Sequence, residues 1–324
     1  MDKLRATIRG RAGRLRVLTE ALARRRLTTW RRRWIGPRLG VLWHYPPRPL
    51  AIPSHYHRPP RLARPPRISL VTPVFDAVRF VEHTVRSVID QGYDALEYLI
   101  QDGGSSDGTL EVLARFRHAT AGLESGPDAG QADAINRGLR RASGDILAYL
   151  NADDMLLPGT LHYVAAYLAQ HPDVDVVYGH RVLIDEGNQE IGRWVLPPHD
   201  DRVLSWADYV PQETLFWRRR IWQRVGAGLD ESFQFAMDWD LLLRFRDAGA
   251  RFVRLPRFLG AFRVHPDQKS TSRIADVGAA EMARLRERVH GRPVSTIEIA
   301  RALRGYHVRH VVGHKLYRLG VLRY

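Results

Sequence analysis

The chain has no cysteine among its 324 residues, which excludes disulfides and cysteine-ligated zinc while leaving the compartment open. No apolar run approaches the roughly 20 residues of a membrane-spanning helix. The arginine-rich start lacks the apolar core of a secretory leader, so the chain is expected to stay in the cytoplasm. No internal repeat is evident. The first predicted strand is followed by Thr72-Pro73-Val74-Phe75-Asp76. That loop is neither the Gly-x-Gly-x-x-Gly of a dinucleotide oxidoreductase nor the Gly-rich basic loop of a sugar nucleotidyltransferase. Acidic residues are scarce in one place only: residues 1–67 hold 18 Lys and Arg against 2 Asp and Glu, while the rest holds 32 against 33. The net charge of +15 therefore belongs to the N-terminal extension.

A hydrophobic content of 44% in 324 residues is enough to bury one large core with appendages. The expected divisions are a basic amphipathic helical extension (1–36), a Pro-rich linker (37–66), a main domain (67–275) and a helical basic tail (276–324). In the extension, Leu4, Ile8, Leu15, Leu18 and Leu22 share one helical side, with Trp30 and Trp34 near its end. Such a helix suits an anionic membrane surface. Nucleic acid is the less favoured partner, and a solvated helix the bland alternative. Prolines from Pro37 to Pro66 prevent its continuation and read as an extended linker.

In the main domain, three apolar strands end in polar loops: Ile68–Val71 before Thr72, Leu96–Ile100 before Gln101-Asp102-Gly103-Gly104-Ser105-Ser106-Asp107-Gly108, and Ile146–Leu150 before Asn151-Ala152-Asp153-Asp154. Helical patterns follow the first two, through Val78, Val81, Val85 and Val88 and through Leu110, Leu113 and Phe116. This βαβα order predicts an α/β fold with a mainly parallel sheet. The strand entering Asp153 and Asp154 is too apolar for water, and the carboxylates are too charged to be buried unpaired, so the pair should lie at the strand's end. Ligands bind beyond the carboxyl ends of such strands, and hard oxygen donors there suit Mg²⁺ or Mn²⁺ on phosphate oxygens. A polar turn capping the helix near Pro158 explains the same residues equally well.

Thr72-Pro73-Val74-Phe75-Asp76, Asp102-Gly103-Gly104-Ser105-Ser106-Asp107-Gly108-Thr109, the Ser125–Gly138 segment and Leu150-Asn151-Ala152-Asp153-Asp154 stand in the order found in family 2 glycosyltransferases of the GT-A fold, which this chain resembles from about Ile68 to Ser272. The resemblance implies an inverting enzyme that uses a nucleoside-diphosphate sugar, most expectedly of UDP or dTDP. Its acceptor would be a saccharide or lipid-linked hydroxyl in cell-surface glycan assembly, on the inner face of the cell membrane.

By the same resemblance Thr72, Pro73 and Asp102 hold the nucleoside, and Asp128, Gln131 and Arg137 contact the donor. An ordinary strand-to-helix turn and an Arg on a solvated helix face are the competing explanations. Asn151 stands where the commoner motif has Asp, so Asp153 is the expected metal ligand, Asn151 and Ala152 the donor contacts and Asp154 a supporting group. Asp238 aligns with the general base at the start of an apolar helix, where Asp238 and Asp240 would also be ordinary first-turn stabilisers. Gln212 and Trp239 are the expected acceptor contacts. His265 would complete the metal site and Lys269 approach phosphate, although a structural His265 competes. No carboxylate is positioned as a nucleophile for a retaining route, nor as the acid of a glycoside hydrolase. The Gln-x-x-Arg-Trp motif of processive synthases is missing after Asp238. A noncatalytic nucleotide-sugar-binding relative is the alternative.

Overall fold

A computed structural model describes Leu42, residues 44–268 and residues 274–324. The expected helix of residues 1–36 and Lys269 lie outside the described residues.

Four parallel strands build the first half: β1 (Ile68–Val74), β2 (Leu96–Asp102), β3 (Gly122–Ser125) and β4 (Ile146–Tyr149). They are joined by helices α1 (Val81–Ile89), α2 (Thr109–Ala114) and α3 (Gln131–Arg141). All seven residues of β1 are buried because helices cover both faces of the sheet. Side chains alternate across a strand, so Ile68, Leu70 and Val74 meet Val81, Val85 and Val88 of α1, while Val71 meets Ile135 and Leu139 on the other face. Helix α3 packs closely because Gly138 faces Val71, where a Cβ would fall 2.4 Å from a valine methyl.

The second half adds β5 (Met155–Leu156), β6 (Val176–Ile184), β7 (Glu190–Trp194), β8 (Phe216–Arg218) and β9 (Phe252–Arg263). The sheet runs β3-β2-β1-β4-β8-β6-β9-β5, with β7 beside β6. Here β8 is antiparallel to β4 and β6, and β5 to β9, so only the half containing β1 to β4 is a wholly parallel array. The long β6–β9 pairing is parallel.

Helices α4 (Thr160–Gln170), α5 (Asp201–Leu204), α6 (Arg219–Arg224) and α7 (Met237–Asp247) pack around this sheet, followed by α8 (Ala279–His290) and α9 (Thr296–Arg318). The expected helical tail is thus present, and it docks: Leu285 and Tyr306 are buried in the main core with Met282, Val289 and Leu303 against it. Two sequence expectations change. Val78 lies before α1 and is exposed, since the segment up to Phe80 is a turn held by Asp107 and Thr109. The described part of the Pro-rich segment is not a plain extended linker: it includes a 3₁₀ turn at Ser54–His57 and is docked. Tyr56 is fully buried with its hydroxyl accepting from the Phe258 amide at 3.0 Å, and Arg48 bonds buried Glu190 at 2.5 Å.

Candidate active site

The carboxyl ends of β1, β2, β3 and β4 lie along one edge of the parallel array, and their loops are tied together. The Asp76 amide donates to Ser105 Oγ at 2.8 Å, the Ser106 amide donates to Asp76 Oδ1 at 2.9 Å, and the Val78 amide donates to Asp107 Oδ2 at 3.0 Å. Asp102, wholly buried at the end of β2, accepts from the Gly104 and Ser105 amides at 2.9 and 3.0 Å and from the Ser105 and Ser125 hydroxyls at 2.5 and 2.6 Å. Its carboxylate therefore shapes the Gly-rich loop from within. Thr72 departs from its expected role: its side chain lies on the face carrying Leu70 and Val74, and its hydroxyl is bonded to Tyr98 at 3.0 Å in the core. Pro73 is buried beside Gln101.

Asp128 accepts from the Gly130 amide at 2.8 Å and lies against Gly103, where a Cβ would come within 2.7 Å of its carboxylate. Only glycine lets the β2 and β3 loops meet this closely. Arg137, an expected donor contact, is held by the protein itself. Its guanidinium forks onto Asp133, at 3.1 and 2.7 Å, and donates to the Pro127 carbonyl at 2.9 Å. The Ala129 amide, against the cost of burial, and then Arg137 hold the Asp133 carboxyl below the usual range. The pair is a clamp on the loop preceding α3, formed because Asp133 and Arg137 are one helical turn apart.

Three expected site residues meet in a row of amides. Gln131 Nε2 donates to Asn151 Oδ1 at 2.7 Å, Asn151 Nδ2 donates to Gln212 Oε1 at 3.2 Å, and Gln212 Nε2 donates to the Tyr149 carbonyl at 2.7 Å. This row joins the start of α3, the end of β4 and the short 3₁₀ turn Gln212–Thr214. Beyond it, Ala152 is buried and its carbonyl is held by Thr84 Oγ1 at 2.8 Å.

Asp153 and Asp154 have separate environments. Asp153 is about one-third exposed and faces His265, with His265 Nε2 3.0 Å from its Oδ2. Asp154 is buried and accepts from the Arg263 amide at 2.9 Å. Burial, then the charges of Asp153 and Glu213, push its carboxyl well above the carboxylate range. Among the described residues no group of three or more His, Cys, Asp or Glu could hold an ion. The Asp153–His265 pair would therefore give a cation two protein side chains. That suits Mg²⁺ or Mn²⁺, which takes much of its octahedron from phosphate oxygens and water.

Two groups here escaped the sequence reading. Arg263, wholly buried, donates to the carbonyls of Asp153 and Asp185 at 2.8 and 3.0 Å and lies over the Phe80 ring, fixing the Asp153 turn from behind. Arg263 is the last residue of β9, and only the pairing of β9 with β6 brings it behind Asp153. Glu213, buried next to Gln212, pairs with Arg181 and adds negative charge near Asp154.

Helix α7 begins with Met237-Asp238-Trp239-Asp240. Asp238 is partly exposed, and Asp240 is buried between Arg244 and Arg288 at 2.8 and 2.6 Å. Trp239 is a second correction. It is fully buried, its indole donating to the Leu204 carbonyl at 2.8 Å, so it offers no face to an acceptor. The start of α7 is capped from the tail: Glu281 of α8 accepts from the amides of Gln234, Phe235 and Ala236 at 2.8, 2.9 and 2.8 Å.

Residues 69–226 match the model of glycosyl transferase family 2, and this part of the chain belongs to that family. Among characterised relatives, the chain is 36% identical over 197 residues to the O-antigen biosynthesis protein RfbC of Myxococcus xanthus, covering 58% of this chain but only 15% of that protein. It is 28% identical over 183 residues to a PGL/p-HBAD biosynthesis glycosyltransferase of Mycobacterium bovis, covering 55% of this chain and 69% of the relative. Among solved structures, S. aureus TarS 1-349 in complex with UDP-GlcNAc superposes with a TM-score of 0.58 at 16% identity, over 76% of this chain and 73% of that one. The mannosyltransferase PcManGT from Pyrobaculum calidifontis, in complex with GDP-Man and Mn2+, gives 0.56 at 21% identity over 89% and 77%. These likenesses establish the GT-A-like α/β fold.

Proposed function

We propose that the chain transfers one sugar, with inversion, from a UDP- or dTDP-sugar to a hydroxyl of a saccharide or lipid-linked acceptor in cell-surface glycan assembly. The observation that carries this reading is the convergence of the Asp153–His265 pair and the Gln131–Asn151–Gln212 row at the carboxyl ends of the parallel strands. Relatives named for O-antigen and PGL/p-HBAD biosynthesis support it. Residues 67–275 would form the catalytic unit, with the chain peripheral on the inner membrane face through residues 1–36.

In this reading Asp153, with His265, would hold Mg²⁺ or Mn²⁺, which when bound neutralises charge on the departing diphosphate. The amide row reads hydroxyls of the donor, and the glycines at 103 and 104 let backbone approach the nucleotide. Asp238 takes the acceptor's hydroxyl proton as that oxygen bonds the anomeric carbon and the anomeric carbon–phosphate oxygen bond breaks, releasing the nucleoside diphosphate. Asp238→Asn should abolish transfer while leaving nucleotide binding intact. Asp153→Asn should instead remove Mn²⁺-dependent thermal stabilisation by UDP or dTDP. Full transfer by the Asp238→Asn protein would overturn the role of the base.

A further inference from the structure

Helix α9 has two unlike faces. Inward, Tyr306, His310 and His314 are buried, and Leu303 packs on the main core. Outward, Ile297, Arg301, Arg304, Val308, Val312 and Lys315, with Leu319 just past the helix end, recur in steps of three and four and so form one stripe. Every one of them is exposed. Ile297, Val308, Val312, Leu319 and Val321 are five of the seven large hydrophobic residues exposed among the described residues, so exposed apolar surface is concentrated here. From Ile299 to Tyr324 there are six Lys and Arg and no Asp or Glu. Arg301, Arg304 and Lys315 form no ion pair among the described residues.

The His44 ring lies 6.2 Å from that of His314 in α9, and residues 1–41 carry 13 Lys and Arg against 2 Asp and Glu.

We propose that the exposed stripe of α9 is a docking surface for an anionic lipid interface. A second copy of the chain would set like charges against like. A nucleic acid would use the arginines but gain nothing from Val308, Val312 and Leu319. A lipid surface uses both, with aliphatic side chains entering the acyl boundary and cationic heads meeting phosphates. No described helix is long and apolar enough to cross a membrane, which fits a helix lying on the surface. This inference is independent of the proposed glycosyl transfer.

Flotation of the full chain with phosphatidylcholine vesicles, with and without phosphatidylglycerol, tests it. Wild type should bind only the vesicles containing phosphatidylglycerol. Arg301→Gln/Arg304→Gln/Lys315→Gln should weaken that binding at least tenfold, and Val308→Ser/Val312→Ser about fivefold. Unchanged thermal unfolding confirms that these exposed substitutions leave the fold intact. Wild-type binding by both variants would overturn the proposal, because the N-terminal extension alone would then carry the interaction. It would equally fall if phosphatidylcholine alone sufficed, or if the chain ignored vesicles and bound an RNA or DNA oligonucleotide through the same arginines.

Discussion

Lowering the pH should loosen α9 before it unfolds the sheet. His310 and His314 are the buried residues that fasten this helix, His310 beside Trp194 and Tyr306 and His314 beside His44. Burial, with His307 adding, pushes the His310 ring down to about 4. Burial, followed by His44, His310 and Arg318, pushes His314 down to about 3. Both values lie below the roughly 6.5 of a free imidazole, so the folded chain resists protons that the unfolded chain accepts. The stabilisation is therefore complete above about pH 6.5 and is lost as the pH falls through that value toward 4 and 3. Each pH unit in this window costs about 1.4 kcal/mol per histidine. At pH 5 the two together should remove on the order of 3 to 4 kcal/mol, a large share of a typical 5 to 15 kcal/mol. Carboxylates paired in the fold, such as Asp133, lose their contribution only at lower pH, while Asp208, which burial pushes up to about 6, gains stability as the pH falls through that value and offsets part of the histidine loss. Amide hydrogen exchange at pH 7.5 and about pH 5 should show faster exchange in residues 296–318 than in β1 and β4, and His310→Phe should blunt the difference. Equal protection of α9 at both pH values would refute the argument.

The remaining predictions concern the site. Glu281→Ala removes the acceptor for three amides before α7 and should cost about 2 kcal/mol of stability, with a fall in kcat greater than the change in donor KM; Glu281→Gln should restore part of both. Thermal unfolding with initial rates checks this, and an unchanged kcat despite the lower stability would separate the cap from Asp238. Arg137→Ala should lower stability by about 1 kcal/mol through loss of the Asp133 clamp, with donor KM changed less than about threefold; a hundredfold rise would mean that the guanidinium leaves Asp133 for the diphosphate. Gln131→Ala breaks the amide row at its α3 end and should raise donor KM more than Arg137→Ala does, measurable in the same assay.

What the sequence made legible follows from how local each signal is. β1, β2 and β4 are continuous apolar runs ending in polar loops, and a single strand's composition announces burial on both faces. The β6–β9 pairing has no such signature, because residues 176–184 find their partners at 252–263 through two register shifts. That pairing places Arg263 behind Asp153, so the residue that fixes the Asp153 turn could not be recognised from its own surroundings. Two of the misassigned contacts were nonetheless within reach of periodicity. Ile68, Leu70, Thr72 and Val74 share one face of β1, so Thr72 had to point at the α1 layer, where Tyr98 supplies the hydroxyl it needs. Trp239, Leu242 and Leu243 share one face of α7, and a face with two leucines belongs to the core. Asp238, one residue earlier, falls off that face and keeps solvent contact, whereas Asp240 is drawn between two arginines. The helix period therefore separates the two carboxylates of Asp238-Trp239-Asp240 into one buried between arginines and one that is partly exposed. This difference, rather than acidity at a helix start, makes Asp238 the stronger candidate for proton transfer.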